Sequence, residues 1–584
     1  MVSFEKGAIV RFSPAFEEAA YDIGSEKAAV VTDGKGGLLS YKVNDRQQNF
    51  VEPFFALTLI VNGQTIDPAS EKTVKMIGRM QQVTFQAGEE EITVVTFMEK
   101  CVNGAFFRIF SKSGKAFSAT FDLRAAKTMP TKTGVTYFEE GDLCLSSDAP
   151  MDWIGENESF YAVVKGELRL LLSFGEAPAV HKAAFASFDK AERAVKEEIE
   201  AVTVPAALSE EEKAFYNTSH FAALENFKSS GAFRAFAAGS NYTYPLRTYF
   251  RDSYFTVLSM LFSHPDLVRN EILTLARSIE KDGTCPSAVK SDGTAFWGNH
   301  FDSPSLFVME LFDYITATGD DGILLEKAAE GTVLEEVKRV LDKLSDSCDQ
   351  TGLIYKQGLN RRDWADEVNR GGYVTYVEAL FARALYCASV LYKGRDDALS
   401  ASYKARFEKV KEAINTLLFD PEKGYYVNFK TNDFTEDNLS IDTVFTVLFG
   451  IADGDKAKRV LDNMERLLES GNNKAQSGGD FGAMCVYPPY SGVGEAVHKS
   501  ARPFDYHNGA NWPFLTAMYA YAKALFGREW REVLLAPFRY AVNNGIYTAV
   551  EYFSPFCKAG SRLQAWSSAV AFVYDRAQKE KFFK

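Results

Sequence analysis

Leu359-Asn360-Arg361-Arg362-Asp363-Trp364-Ala365-Asp366-Glu367 leads directly into a helical stretch, Tyr373 to Val390. A charged and aromatic loop feeding a helix is the unit that characterises the chain from about residue 210 onward. Helical periodicity places helices at 211–228, 253–263, 265–280, 303–317, 332–346, 374–393, 402–418, 440–451, 454–469, 513–526, 528–543 and 563–576. No internal repeat of fixed period accompanies them, which disfavours an α-solenoid. Twelve helices with few β-runs between them fit a closed toroid of six inner and six outer helices. Polar and aromatic residues concentrate in the connecting loops: Tyr242 to Asp252, Trp297 to Pro304, Leu359 to Gly372, Gly478 to Tyr490, Phe504 to Pro513 and Tyr547 to Phe556. In a toroid, alternate loops converge on one mouth, where binding groups on a rigid scaffold are expected.

The chain before this region has a different texture. Short β-type runs occur at Ala28–Thr32, Leu38–Tyr41, Phe55–Val61, Gln82–Phe85, Ile92–Phe97 and Ala105–Phe110, with Asn62-Gly63 as a hairpin signal. Their spacing predicts an antiparallel β-sandwich over residues 1–185. A charged helical linker is expected over 186–209, followed by the helical toroid over 210–584. The fold class expected is therefore α+β multidomain, a β-sandwich followed by an (α/α)6 toroid.

With 584 residues, 46% hydrophobic and 24% charged, the chain has the composition of a globular protein of more than one domain. Its formal charge of −13 disfavours nucleic acid and anionic membrane as partners and suits a neutral substrate. The seven cysteines (101, 144, 285, 348, 387, 485 and 557) are scattered and form no CxxC pair. They are expected to be reduced thiols in a cytoplasmic protein, with neither a disulfide framework nor a metal site. No apolar signal region or membrane-length run is evident. P-loop, GxGxxG, GxSxG, HExxH and EF-hand patterns are absent, so no cofactor is expected.

Carboxylates flanked by aromatics carry the chemistry. An acid and a carboxylate facing each other across a sugar are the minimum equipment for glycoside hydrolysis. Adjacent aromatic rings supply stacking faces and the dry wall that raises one carboxyl's pKa. In the first motif either Asp363 or Asp366 is the candidate acid, with Trp364 beside it; Glu367 could simply cap the following helix. Glu551 lies in an otherwise apolar run, Ile546 to Phe553, where burial is costly unless the charge is paired or functional. Its plain alternative is a salt bridge to Lys558 or Arg562. Arg251 and Asp252 can clamp adjacent sugar hydroxyls or merely cap a helix. Tyr506, His507, Asn508 and Trp512 read as a sugar subsite, and Trp297 with His300 as a weaker one.

The segments Arg251-Asp252, Trp364-Ala365-Asp366, Tyr506-His507-Asn508-Gly509 to Trp512-Pro513, and Glu551 through Gln564-Ala565-Trp566-Ser567 occur in one order. In that order they resemble the (α/α)6-barrel glycoside hydrolases, specifically the amylo-α-1,6-glucosidase domain of glycogen debranching enzymes and more distantly trehalases and processing α-glucosidases. The resemblance covers about residues 210 to 580. It implies an inverting glycosidase, exo-acting on an α-glucoside or related oligosaccharide, with Asp366 as general acid and Glu551 as general base. Arg251, Asp252, His507, Trp512 and Trp566 would then line the subsite of the non-reducing sugar. Asp363 stands where the debranching pattern has Gly; the Asp-Trp-x-Asp form is similar to that of cellobiose and chitobiose phosphorylases. An inverting disaccharide phosphorylase and a non-catalytic carbohydrate-binding protein are the alternatives. The sugar and the oligomeric state are not legible in the sequence.

Overall fold

The computed structural model describes residues 1–46, 53–67, 70–123, 134–154, 159–490, 498–556, 559–579 and 581–583. Cys557 and Lys558 lie outside them. The chain forms two compact units. The first comprises Met1–Ser230, Gly239–Leu246 and Val542–Ala549; the second comprises Gly231–Ala238, Arg247–Ala541 and Val550–Lys584.

The first unit is a large antiparallel β-structure of sixteen strands. Every β-run expected from the sequence is a strand or part of one, and Asn62-Gly63 turns the chain with positive φ at both residues. Strand Glu71–Ile77 alternates buried and open positions, as a half-buried strand must. Leu143–Ile154 is shared: residues 143–147 pair with Glu167–Phe174, whereas 152–154 pair with Ser159–Lys165. Within the charged stretch expected as a linker helix lies Phe188–Ala201, and a further helix, Pro178–Ala186, precedes it. The chain leaves helical geometry at Ser187, and Phe188 packs edge-on against Phe97 and Phe106, with ring centroids 5.6 and 5.4 Å away. The next helix, Glu210–Asn226, opens with a capping box between Ser209 and Glu212.

In the second unit two kinds of helix alternate. Phe250–Met260, Ser303–Thr318, Thr375–Tyr392, Val444–Leu448, Pro513–Leu525 and Ala569–Arg576 are buried over most or all of their length. Between them lie helices buried along one stripe. In Val333–Ser345 that stripe is Val333, Glu336, Val337, Val340, Leu341 and Leu344, and in Gly454–Leu467 it is Ala457, Val460, Leu461 and Met464. The buried helices pack in sequence order, each against the next, and Ala569–Arg576 returns to pack on Phe250–Met260.

All twelve expected helices form, with shifted ends. The helix expected at 440–451 is a 3-10 turn, Ile441–Thr443, followed by Val444–Leu448; that at 563–576 is a 3-10 turn, Ala565–Ser568, followed by Ala569–Arg576. Short strands of two to five residues between the helices were not expected. They include the sheet Arg247–Tyr249, Pro286–Lys290, Ala295–Asn299 and the sheet led by Lys356–Asn360 and Arg370–Val374. Runs this short carry too little alternation to stand out.

Candidate active site

The Asp363 to Glu367 loop closes the hairpin of Lys356–Asn360 and Arg370–Val374, in which Asn360 pairs with Arg370. Helix Thr375–Tyr392 begins after it with Val374 at the N-cap, so Glu367 does not cap that helix. Inside the hairpin Asp363 is sealed between two cations. Lys356 Nζ donates to Oδ2 at 2.7 Å, and Arg370 donates to Oδ1. Arg370 also donates to Asp442 Oδ2 at 2.7 Å, and the same oxygen accepts the Trp364 indole N–H at 2.5 Å. None of the four ionic side chains is more than 1% exposed. Burial opposes the charge on Asp363, but Arg370 and Lys356 outweigh it and hold the carboxyl well below the usual carboxylate range. The network also fixes the plane of Trp364.

Three residues on, Asp366 has the opposite environment. Its side chain is 23% exposed, and its nearest charged neighbour is Arg251, at 3.8 Å. Burial, partly offset by Arg251 and reinforced by the charges of Glu551, Glu367 and Asp363, pushes its pKa up to about 7. His507 Nδ1 lies 3.9 Å from Asp366 Oδ1 and accepts the Glu367 backbone N–H at 3.2 Å. Burial, with the charges of Arg251 and Arg370, lowers the His507 pKa well below 6.5. The ring is therefore neutral, with its proton on Nε2, which has no partner among the described residues.

Arg251 and Asp252 occupy the first turn of helix Phe250–Met260, whose N-cap is Tyr249; neither caps it. Arg251 reaches Asp302 Oδ2 at 3.5 Å and lies over the Trp566 ring at 5.9 Å. Asp252 accepts from Gln564 Nε2 at 3.1 Å, and burial, with Glu551 and Asp366 adding to it against Arg251, raises its pKa to about 7.

Glu551 is 7% exposed. Tyr506 Oη donates to its Oε1 at 2.9 Å, and the Ser561 backbone N–H donates to Oε2 at 3.0 Å. Its charge acts on both Asp366 and Asp252. Gly560 passes so close beneath it that an added Cβ would sit 2.5 Å from the Glu551 Cβ. The loop that presents Tyr506 is strained, with positive φ at Phe504 and Tyr506 and at Gly509.

Aromatic rings join these groups. His507 stacks on Trp512 at 4.5 Å, Trp364 meets both edge-on at 5.0 and 5.5 Å, and Trp566 stacks on Phe514 at 4.3 Å. Trp512 is interior and donates to the Tyr506 carbonyl at 3.2 Å. It forms the floor beneath the other rings. The Trp566 indole N–H is buried without a partner among the described residues.

The structure thus brings Arg251, Asp252, Trp364, Asp366, Tyr506, His507, Trp512, Glu551 and Trp566 together. Asn508 is fully buried and braces the loop by accepting the Tyr490 N–H at 2.6 Å. His300 is buried, its pKa lowered to about 3 by burial and by Arg251, and its Nδ1 has no partner among the described residues. Trp297 stands apart on the hairpin of Pro286–Lys290 and Ala295–Asn299, 55% exposed and packed against Phe296 and Tyr249. Asp302, Lys356, Arg370 and Asp442 were not singled out in the sequence. For Asp442 the signal was an acid within a largely apolar run, Ile441 to Phe445; Asp302 and Arg370 stand in no such run. Among the described residues, no group of three or more His, Cys, Asp or Glu is placed to hold a metal ion.

A family profile described as amylo-alpha-1,6-glucosidase matches residues 228–573. No curated protein matches the chain by sequence. Among solved structures, a bacterial glucoamylase complexed with acarbose superposes with a TM-score of 0.63 at 12% identity, covering 97% of this chain and 97% of that one. A rhamnosidase from Klebsiella oxytoca with rhamnose bound gives 0.47 at 15% identity, covering 96% and 98%. The glucoamylase likeness extends over both units, and the family match spans the residues that surround Asp366 and Glu551. The chain is a glycosidase belonging to the amylo-alpha-1,6-glucosidase family.

Proposed function

We propose that this glycosidase inverts the anomeric centre of an α-glucoside, removing sugars from the chain end, with Asp366 as general acid and Glu551 as general base. The observation that carries the reading is the contrast within one loop. Asp363 is held ionised by two buried cations, whereas Asp366, partly open and facing the Glu551 charge, keeps its proton up to about pH 7. An acid must be protonated at the working pH, and only Asp366 of the two meets that need. Asp363 is then the residue that anchors the acid loop.

Protonated Asp366 delivers its proton to the glycosidic oxygen as the bond to the anomeric carbon breaks. Glu551, its oxygens oriented by Tyr506 and Ser561, takes a proton from a water attacking the opposite face. Arg251, next to Asp366, and Asp252, tied to Gln564, are positioned to hold vicinal hydroxyls. The unpartnered N–H groups of His507 and Trp566 add two donors for the same sugar. The closed packing order of the six buried helices supports an (α/α)6 toroid as the scaffold, and the strand shared between two pairings supports a β-sandwich before it. A cytoplasmic location is supported by the six described cysteines, all of them free. No described helix is long and apolar enough to cross a membrane.

The test is product analysis by proton NMR on aryl α-glucosides and α-linked gluco-oligosaccharides, with and without phosphate. Free β-glucose appearing first, independent of phosphate, is expected. Free α-glucose as first product, or a phosphate-dependent sugar phosphate, would overturn the assignment of Glu551 as base.

A further inference from the structure

The second unit carries a groove of about 730 Å³ that the catalytic residues do not line, within the size range of small-molecule sites. Its walls include Tyr355, Tyr373, Asp349, Gln357, Asn360 and Arg362. We infer that this groove is an accessory binding site for a neutral oligosaccharide, separate from the pocket that holds Asp366. The inference rests on the glycosidase reading for its ligand class and on the groove's own residues for its existence.

The groove adjoins two segments that lead into the ion network. Phe301 and Arg362 line the groove, and each immediately precedes an acid, Asp302 and Asp363 respectively. Asp302 meets Arg251, and Asp363 meets Lys356 and Arg370. The Phe301 N–H donates to the Arg362 carbonyl at 2.9 Å, tying the two segments together. A ligand in the groove would therefore lie beside the segment that carries Asp363.

The lining suits a sugar chain. Tyr355 and Tyr373 are half-buried and meet edge-on at 5.1 Å and 80°. The Tyr373 hydroxyl donates to Asp349 Oδ2 at 2.5 Å, which fixes the ring's direction. Two rings held at a right angle offer apolar faces of defined orientation. Around them are planar groups that pair with vicinal hydroxyls: the amides of Gln357 and Asn360 and the Arg362 guanidinium, itself steadied by Asn299 Oδ1 at 3.3 Å. Among the lining residues themselves, Asp346 and Asp349 stand against Arg362, a balance that gives an anion such as a phosphate ester or nucleic acid no cluster of cations to bind. A polyhydroxylated neutral chain is what remains.

The experiment is affinity electrophoresis of the full chain in native gels containing glycogen, alongside turnover of p-nitrophenyl α-glucoside, which is too short to use the groove. Wild type should be retarded by glycogen. Tyr373→Ala and Arg362→Ala should each weaken that retention about tenfold, a loss of roughly one good contact, while kcat/KM on the short glycoside stays within about twofold. Tyr373→Phe should retain binding, because the ring face remains. The inference is overturned if wild type is not retarded, if Tyr373→Ala is retarded like wild type, or if Tyr373→Ala loses short-substrate turnover and melting temperature together. Loss of the Glu551 assignment would leave the electrophoretic result untouched, so the two readings fail separately.

Discussion

Asp363 and Asp366 lie three residues apart in one loop, and the structure treats them in opposite ways. Asp363 is deeply buried yet charged, because Lys356 and Arg370 meet it directly and Arg370 continues to Asp442. Asp366 is harder to ionise, because burial opposes its charge and three other carboxylates add to that, with Arg251 at 3.8 Å to offset them. Burial pushes both carboxyls toward the protonated form, and the neighbouring charges decide whether that push prevails: two cations overturn it at Asp363, and nearby carboxylates reinforce it at Asp366. A sealed ion network supplies rigidity, and the frustrated carboxyl beside it supplies a proton.

The sharpest way to break this contrast is to remove the charges one at a time. Asp366→Asn and Glu551→Gln should each lower kcat by about 10²- to 10⁴-fold, the usual worth of a general acid or base, with near-normal substrate binding. Steady-state kinetics and binding titration check this, and near-wild-type turnover in either variant would remove that residue from the mechanism.

Asp363→Asn should act on stability first. It leaves Lys356 and Arg370 without their anion in a sealed site, and breaking a buried pair from one side costs about 3–5 kcal/mol. Urea unfolding should show the loss, with the melting temperature falling accordingly. A variant as stable as wild type would mean that the network is not the anchor of the loop.

Asp366→Asn should do the reverse. With a folded-state pKa raised to about 7, Asp366 binds its proton more tightly folded than unfolded. The stability this provides is full below the unfolded carboxyl pKa and is lost as pH rises through about 7. At pH 8 the wild type therefore bears the cost of an ionised carboxylate that Asn does not. The variant should be more stable there by about 1–3 kcal/mol, the rise to about 7 being discounted for partial exposure, and equal to wild type near pH 4. Unfolding measured at both pH values decides it; destabilisation at pH 8 would show that Asp366 is held ionised like its neighbour.

This pairing marks where sequence reading succeeds and where it stops. The motif Asp-Trp-x-Asp beside a helix is legible because an aromatic between acids is chemically conspicuous, and the inner helices are legible from the helical periodicity of their apolar residues. Which aspartate is the acid is not legible from the residues alone. It depends on Arg370, seven positions on in a hairpin too short to recognise, and on Asp442, which arrives from the start of another helix. The Glu551 site shows the same dependence, since a Cβ at Gly560 would meet the Glu551 and Tyr552 side chains.

The smallest effect tests the charge balance most directly. Glu367 is one of the carboxylates that raise the Asp366 pKa, and it is itself partly open, 3.6 Å from Arg361. Glu367→Gln removes that repulsion while leaving the acid, the base and the ion network in place. Asp366 should then lose its proton at lower pH, so the alkaline limb of the kcat/KM profile should move toward acid by a fraction of a pH unit, with the rate at the optimum little changed. Because both groups are reached by solvent, the shift should shrink as salt is added. A limb that stays fixed, or moves toward alkali, would mean that a group other than Asp366 governs the loss of activity.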